Sequence, residues 1–164
     1  MKPIQDLIYS PVVKTRDAEL KGLEQLSSSV KDKILPVYEL TKSRKSSRAP
    51  DGDIFKRMKK IAEIQQDRPF VLDLCTDEKY INPQIEQLLD ESRGYSYWLG
   101  FLNIHKNLNI IPMVHLYDDE DFEEVESFVR SAVVDFQVLA VRLPFDLDDI
   151  EHYVAPIARC YLRQ

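Results

Sequence analysis

Five short apolar runs recur along the chain, and each of them ends in a charged or ionisable residue. They occupy residues 11–14, 36–39, 70–73, 112–115 and 139–142. Short runs that are rich in β-branched residues and apolar at successive positions are typical of strands buried on both faces. The pattern therefore predicts five strands of a parallel sheet.

Amphipathic segments separate these runs. The clearest has apolar residues at helical spacing from Phe55 to Ile64, and Asp53 stands where the N-cap of that helix is expected. Further on, Asn82 and Pro83 combine a capping residue with proline at the first helical position, which is a strong helix start signal. The chain is thus predicted to alternate between strands and helices.

The strand–helix unit repeats at a regular interval. Lys14 and Arg142 end the first and last runs and lie 128 residues apart over four steps, so one unit takes 32 residues, close to the length of about 30 residues of a βαβ unit. We predict a single α/β domain over residues 1–164, with five consecutive βα units and a parallel sheet. Two architectures fit: a partial (half) TIM-barrel-like fold and a flavodoxin-like doubly wound five-stranded sheet.

The polar residues at the ends of the runs are the candidate site. They are Lys14, Glu39, Asp73, His115 and Arg142. Functional groups of parallel α/β folds gather at the carboxyl ends of the strands, and charged groups are costly there unless they pair or bind a ligand. We expect the two cations to bind a phosphate, and the two carboxylates and the imidazole to hold a divalent metal or to act as catalytic acid and base. The competing interpretation is that Lys14 with Glu39 and Asp73 with Arg142 are simply ion pairs.

A basic loop, residues 41–48, follows the second run. It contains no acid and four cations, which are Lys42, Arg44, Lys45 and Arg48. Another cation, Arg16, follows the first run. Because the loop leaves the same end of the sheet, we expect these residues to bind a phosphate, a nucleotide or a nucleic-acid end. A solvated loop is the alternative.

Composition narrows the classes of function. The chain has 22 Lys and Arg against 28 Asp and Glu, a net charge of −6, which argues against general binding of duplex DNA. Two cysteines are too few for a disulfide framework. No apolar run approaches the roughly 18 residues of a membrane span, and the first residues lack a signal-peptide stretch. We therefore expect a cytoplasmic protein without a membrane partner.

The opening of the chain resembles that of a known family. Residues 8–14 read Ile-Tyr-Ser-Pro-Val-Val-Lys, Glu19 lies in the first predicted helix, and residues 34–39 read Ile-Leu-Pro-Val-Tyr-Glu. This order is similar to the N-terminal half of the bacterial and phage beta-protein family, and the third and fifth runs are similar to it as well. The resemblance implies a βα-barrel-like fold, longer chains in other members, and a prophage or defence setting.

Three functions remain open on this basis. The first is a phage, mobile-element or antiviral-defence protein that binds an anionic ligand, a phosphate or a nucleotide, at the strand ends. The second is a metal-assisted phosphodiesterase or related hydrolase that uses Glu39, Asp73 and His115. The third is a non-catalytic protein-interaction module. The corresponding partners are a phosphate-containing small molecule, a protein, or a second copy of the chain that completes the sheet.

Overall fold

A computed structural model describes residues 6–116, 122–143 and 150–162 of the chain. Five strands lie in this part, and each coincides with one of the predicted runs. From β1 to β5 they are Val12–Lys14, Val37–Leu40, Phe70–Leu74, Ile110–Val114 and Ala140–Val141. The α/β class predicted from the apolar pattern is confirmed.

Helices fill the described segments between and after the strands. From α1 to α7 they are Asp17–Gln25, Ser28–Lys31, Ile54–Gln65, Pro83–Leu88, Ser92–Ile104, Glu123–Ala132 and Ile150–Leu162. Both predicted start signals are confirmed, since the amide of Phe55 donates to Asp53 Oδ1 at 2.9 Å and the amide of Ile85 donates to Asn82 Oδ1 at 3.1 Å. In the described ranges, no helix combines the length and apolar composition needed to cross a bilayer.

The strands form one open sheet in the order β1-β2-β3-β4-β5, and all neighbouring pairs are parallel. Sequential order arises when every crossover returns on the same side of the sheet, as in a βα barrel. A flavodoxin-like sheet has the order 2-1-3-4-5. The observed order is therefore that of five consecutive units of a barrel and favours the half-barrel architecture.

The helices pack on one face of this sheet. Their buried residues, among them Leu20, Met58 and Phe128, form the main hydrophobic core together with alternate strand residues such as Leu72. Trp98 of α5 is fully buried in this core, and its indole nitrogen donates to the carbonyl of Met113 at 3.2 Å. Each large side chain buried in this way contributes about 1.5–3 kcal/mol to the stability of the fold.

The opposite face of the sheet carries a smaller apolar cluster. Val37, Val71, Ile111 and Met113 form it, one or two from each of the three central strands. Because side chains alternate between the two faces of a strand, the residues two positions beyond them lie on the same face at the carboxyl ends. This face therefore presents the candidate site.

The first turn of α5 has an unusual backbone. Arg93, Gly94 and Tyr95 have φ angles of 57°, 64° and 52°, which lie in the left-handed region. A Cβ atom at Gly94 would lie 2.6 Å from Ser127 Oγ, so glycine is the residue that fits there without movement of its neighbours. The turn places Tyr95, only 2% exposed, beside the ring of His115 at a centroid distance of 6.2 Å.

Candidate functional site

The five predicted residues do meet, and they form what we call the strand-end network. Lys14 Nζ donates to Glu39 Oε2 at 2.7 Å, and Arg142 Nη2 donates to Glu39 Oε1 at 2.9 Å. Arg142 also forms an ion pair with Asp73, whose Oδ1 lies 3.7 Å from His115 Nδ1. One continuous set of contacts thus joins residues from all five strand ends.

The register of the sheet determines this arrangement. Lys14, Glu39 and Asp73 are successive partners across β1, β2 and β3. The register between β3 and β4 is shifted, so that His115 and Arg142 lie two residues beyond the level of Asp73. A stagger of this kind accompanies the strand tilt of barrel-like sheets. Arg142 reaches the carboxylates because its side chain is long enough to lie back across the face.

Asp73 is the most perturbed acid of the network. Its side chain has no exposure to solvent, and burial raises its pKa to about 6 although Arg142 and the amide of Leu74 oppose this rise. That amide donates to Asp73 Oδ1 at 2.8 Å. Carboxyl groups with such shifted pKa values are found preferentially at functional sites.

His115 is held in its neutral form. It is 7% exposed, and its ring lies 6.2 Å from that of Tyr95 and 6.0 Å from that of Trp98. Burial first, and the charge of Arg142 second, lower its pKa to about 4. Its contact with Asp73 is therefore not an ion pair at neutral pH. Among the described residues, its Nε2 atom has no hydrogen-bond partner.

Glu39 stays ionised at the centre of the network. Burial alone would raise the pKa of Glu39, but the hydrogen bonds from Lys14 and Arg142 outweigh burial and lower it. The hydrogen bond to Glu39 likewise raises the pKa of Lys14, against the effect of burial. The ion pairs that formed the competing interpretation of the sequence are therefore present in the structure.

The predicted metal ligands do not fit a metal ion in this arrangement. Each carboxylate oxygen of Glu39 already pairs with a cation, and the carboxylate of Asp73 pairs with Arg142. In the residues that the structure describes, no group of three His, Cys, Asp or Glu side chains is placed to hold a metal. The function proposed below therefore involves no metal at this position.

Two threonines and a tyrosine at this edge were missed by sequence reasoning. The amide of Thr41 donates to Thr15 Oγ1 at 2.7 Å, and this buried contact joins the ends of β1 and β2. The guanidinium of Arg16 lies 5.1 Å from the ring centre of Tyr80, and Lys14 Nζ lies 5.8 Å from the same centre. Thr15 directly follows Lys14 and Thr41 lies two residues after Glu39, so closeness to the predicted strand-end residues is the signal that would have found the threonines.

The basic loop contacts the helices α1 and α3. Arg44 Nε lies 2.7 Å from Asp17 Oδ2 at the start of α1, and the carbonyl of Lys42 accepts from the guanidinium of Arg57. Within the described part of the chain, none of the four loop cations contacts an acid of the network. The structure therefore places the cations of the basic loop and those of the strand ends in two neighbouring regions.

Comparison with known proteins identifies the family. The family model described as Beta protein matches residues 9–156. The chain is also 32% identical over 122 residues to Protein beta of Enterobacteria phage P4, an alignment that covers 74% of this chain and 32% of that protein. The chain thus spans about a third of the length of that relative, and no solved structure matches it significantly. The family predicted by resemblance is confirmed: the chain belongs to the Beta protein family.

Proposed function

We propose that the protein is associated with phages, mobile elements or antiviral defence and binds a phosphate-containing ligand at the strand ends. The observation that carries the proposal is the bridging position of Glu39. One of its carboxylate oxygens accepts from Lys14 and the other accepts from Arg142. Two cations from the opposite edge strands, β1 and β5, are thereby held together on one face of the sheet.

Both cations keep donors that the network does not use. An ammonium group has three N–H donors and a guanidinium has five. Arg142 contacts its two carboxylates through Nη2, and the side chains of Lys14 and Arg142 are 31% and 41% exposed. The free edge of a guanidinium matches the oxygens of a phosphate, and the neighbouring Lys14 adds a second charge.

The burial of the other members favours binding over catalysis. Asp73 is fully buried and His115 is 7% exposed, so neither presents a carboxylate oxygen or a ring nitrogen at the surface where a substrate would lie. Their arrangement suits residues that orient Arg142. We therefore propose a binding site, and the roles of Glu39, Asp73 and His115 in hydrolysis stay predictions.

Titration calorimetry with inorganic phosphate and with sulfate tests this proposal. Lys14→Gln and Arg142→Gln each remove one charge-assisted hydrogen bond, so we expect about tenfold weaker binding of phosphate in each variant. Arg130→Gln is the matched control, because Arg130 is an exposed arginine of α6 paired with Glu126. Unchanged phosphate affinity in both network variants, with native far-UV circular dichroism, would overturn the proposal.

The pH dependence of sulfate binding gives a second readout. The charge of sulfate does not change over the range in which Asp73 titrates. As the pH falls through about 6, Asp73 gains a proton and neutralises Arg142 less, so sulfate affinity should rise. The same rise in Asp73→Asn would show that another group is responsible.

A further inference from the structure

A second positively charged site lies outside the strand-end network, in an open cleft between α1, α3 and the basic loop. We call it the basic cleft. Its volume is about 550 Å³, within the range of small-ligand sites. Among the described residues, two carboxylates and six cations line it, the cations being Lys21, Arg44, Lys45, Lys56, Arg57 and Lys60. The cleft therefore carries an excess of four positive charges in a chain whose net charge is −6.

The two carboxylates of the cleft are already neutralised. Asp17 pairs with Arg57 and with Arg44. Glu24 Oε1 lies 2.6 Å from Lys60 Nζ. These pairs join α1 to α3 and to the basic loop, and they hold the walls of the cleft together.

The remaining three cations of the cleft have no such partner among the residues that the structure describes. Within the described part of the chain, Lys21, Lys45 and Lys56 have no carboxylate within 4 Å, and all three are exposed. They come from three different elements, namely α1, the basic loop and α3. Like charges that face one cavity repel one another unless an anion lies between them.

The basic loop is ordered where it forms the wall of the cleft. Ser43 Oγ accepts from the amide of Asp53 at 3.0 Å, and the amide of Ser46 donates to the carbonyl of Ala49 at 2.9 Å. Gly52 has φ +84°, and a Cβ atom there would lie 2.5 Å from the carbonyl oxygen of Ser43. Contacts that hold the loop in place reduce the entropy that a ligand must remove on binding.

We propose that the basic cleft binds a chain of phosphates, such as that of a nucleoside polyphosphate or an inorganic polyphosphate. The three unpaired lysines lie on separate walls, which suits several linked charges more than one compact ion. No aromatic residue is among the described residues that line the cleft, and its buried apolar floor is Leu20. The lining thus offers no platform on which a base would stack, so recognition rests on the phosphates.

This site is independent of the proposed function, because Lys14 and Arg142 do not line the cleft. Calorimetry with inorganic tripolyphosphate, compared with orthophosphate, tests it. We expect tripolyphosphate to bind at least about tenfold more tightly, and the double variant Lys45→Gln/Lys56→Gln to lose about tenfold in tripolyphosphate affinity. Repeating the titration in Lys14→Gln/Arg142→Gln separates the two sites, because tripolyphosphate binding should persist there.

Lys59→Gln supplies the matched control, since Lys59 is an exposed lysine of the same helix that does not line the cleft. ATP distinguishes the two sources of the ligand: equal affinity for ATP and tripolyphosphate indicates recognition of the phosphates alone, and tighter binding of ATP indicates a nucleoside polyphosphate. The proposal is overturned if Lys59→Gln loses as much affinity as the cleft variant. It is also overturned if the cleft variant binds tripolyphosphate as wild type does, or if a single-stranded oligonucleotide outcompetes tripolyphosphate at equal phosphate concentration.

Discussion

Arg142 Nη2 donates to Glu39 Oε1 at 2.9 Å although 103 residues and two intervening strands separate them. In a flat sheet β2 and β5 would lie about 14 Å apart. The side chains of Glu39 and Arg142 must therefore extend towards each other across the face of the sheet. A sheet that is concave on this face shortens the distance between them. The contact is the one that unites the two cations of the strand-end network.

Replacing Glu39 by Gln should destabilise the fold. The substitution keeps the size of the side chain but removes the charge that two cations share. Because Lys14 and Arg142 are each about a third or more exposed, solvent screening limits the expected loss in unfolding free energy to about 1–2 kcal/mol. Urea unfolding, followed by the fluorescence of the buried Trp98, measures it.

Glu63→Gln is the control for that prediction. Glu63 lies 3.6 Å from Lys60 and is 52% exposed, so its replacement should change the free energy of unfolding by less than about 0.5 kcal/mol. Equal effects of Glu39→Gln and Glu63→Gln would show that the strand-end network contributes no more than an ordinary surface pair.

Asp73 and His115 should give opposite pH dependences of stability. The folded pKa of Asp73, about 6, exceeds its ordinary value of 3.8, so its contribution to stability is present below 3.8 and is lost as the pH rises through 6. The folded pKa of His115, about 4, is below its ordinary value of 6.5, so its contribution is present above 6.5 and is lost as the pH falls through 4. Each amounts to about 3 kcal/mol, and in the wild type they largely cancel.

Single substitutions separate the two contributions. In Asp73→Asn only the contribution of His115 remains, so the free energy of unfolding should increase with pH between 4 and 6.5 more steeply than in the wild type. In His115→Gln only the contribution of Asp73 remains, so the free energy of unfolding should decrease with pH between 4 and 6, in contrast to the wild type. Urea unfolding at several pH values measures both slopes. Slopes of the same sign in the two variants would contradict the assignment.

The outer edge of β1 should mediate association with a second copy. Val12 of β1 is 60% exposed, Ile8 and Tyr9 just before the strand are 76% and 66% exposed, and among the described residues β1 pairs only with β2. The carbonyl of Pro11 faces β2, where it accepts from Val37, so its missing N–H does not interrupt the outer edge. An exposed edge of this kind is a template for strand pairing.

Light scattering at increasing protein concentration tests this association. We expect a dimer, and Val12→Lys should shift it to the monomer because a charge on the edge opposes pairing. Val134→Lys introduces the same charge at a valine that is 75% exposed outside the sheet, and should leave the dimer unchanged. A monomer at every concentration would exclude completion of the sheet by a second copy of the chain. The exposed edge of β1 would then be available only to a different protein.

The five strands, two helix starts and all five members of the strand-end network could be predicted from the sequence, because apolar periodicity and capping residues are local signals. The contact between Arg142 and Glu39 was not predicted, since the two expected pairs were Lys14 with Glu39 and Asp73 with Arg142. The contact of the basic loop with α1 was also not predicted. It depends on the pairing of Arg44 with Asp17, which joins the loop to a helix more than twenty residues before it.

The alternation of strands and helices and the family membership follow from the amino-acid sequence, because both are recorded in the order and spacing of neighbouring residues. The sequential strand order, the shift in register before His115, and the burial that moves the pKa values of Asp73 and His115 in opposite directions arise only from the folded arrangement. These properties depend on how distant segments pack and on how much water that packing excludes. The same packing placed Lys14 and Arg142 in the strand-end network and Arg44 and Lys45 in the basic cleft.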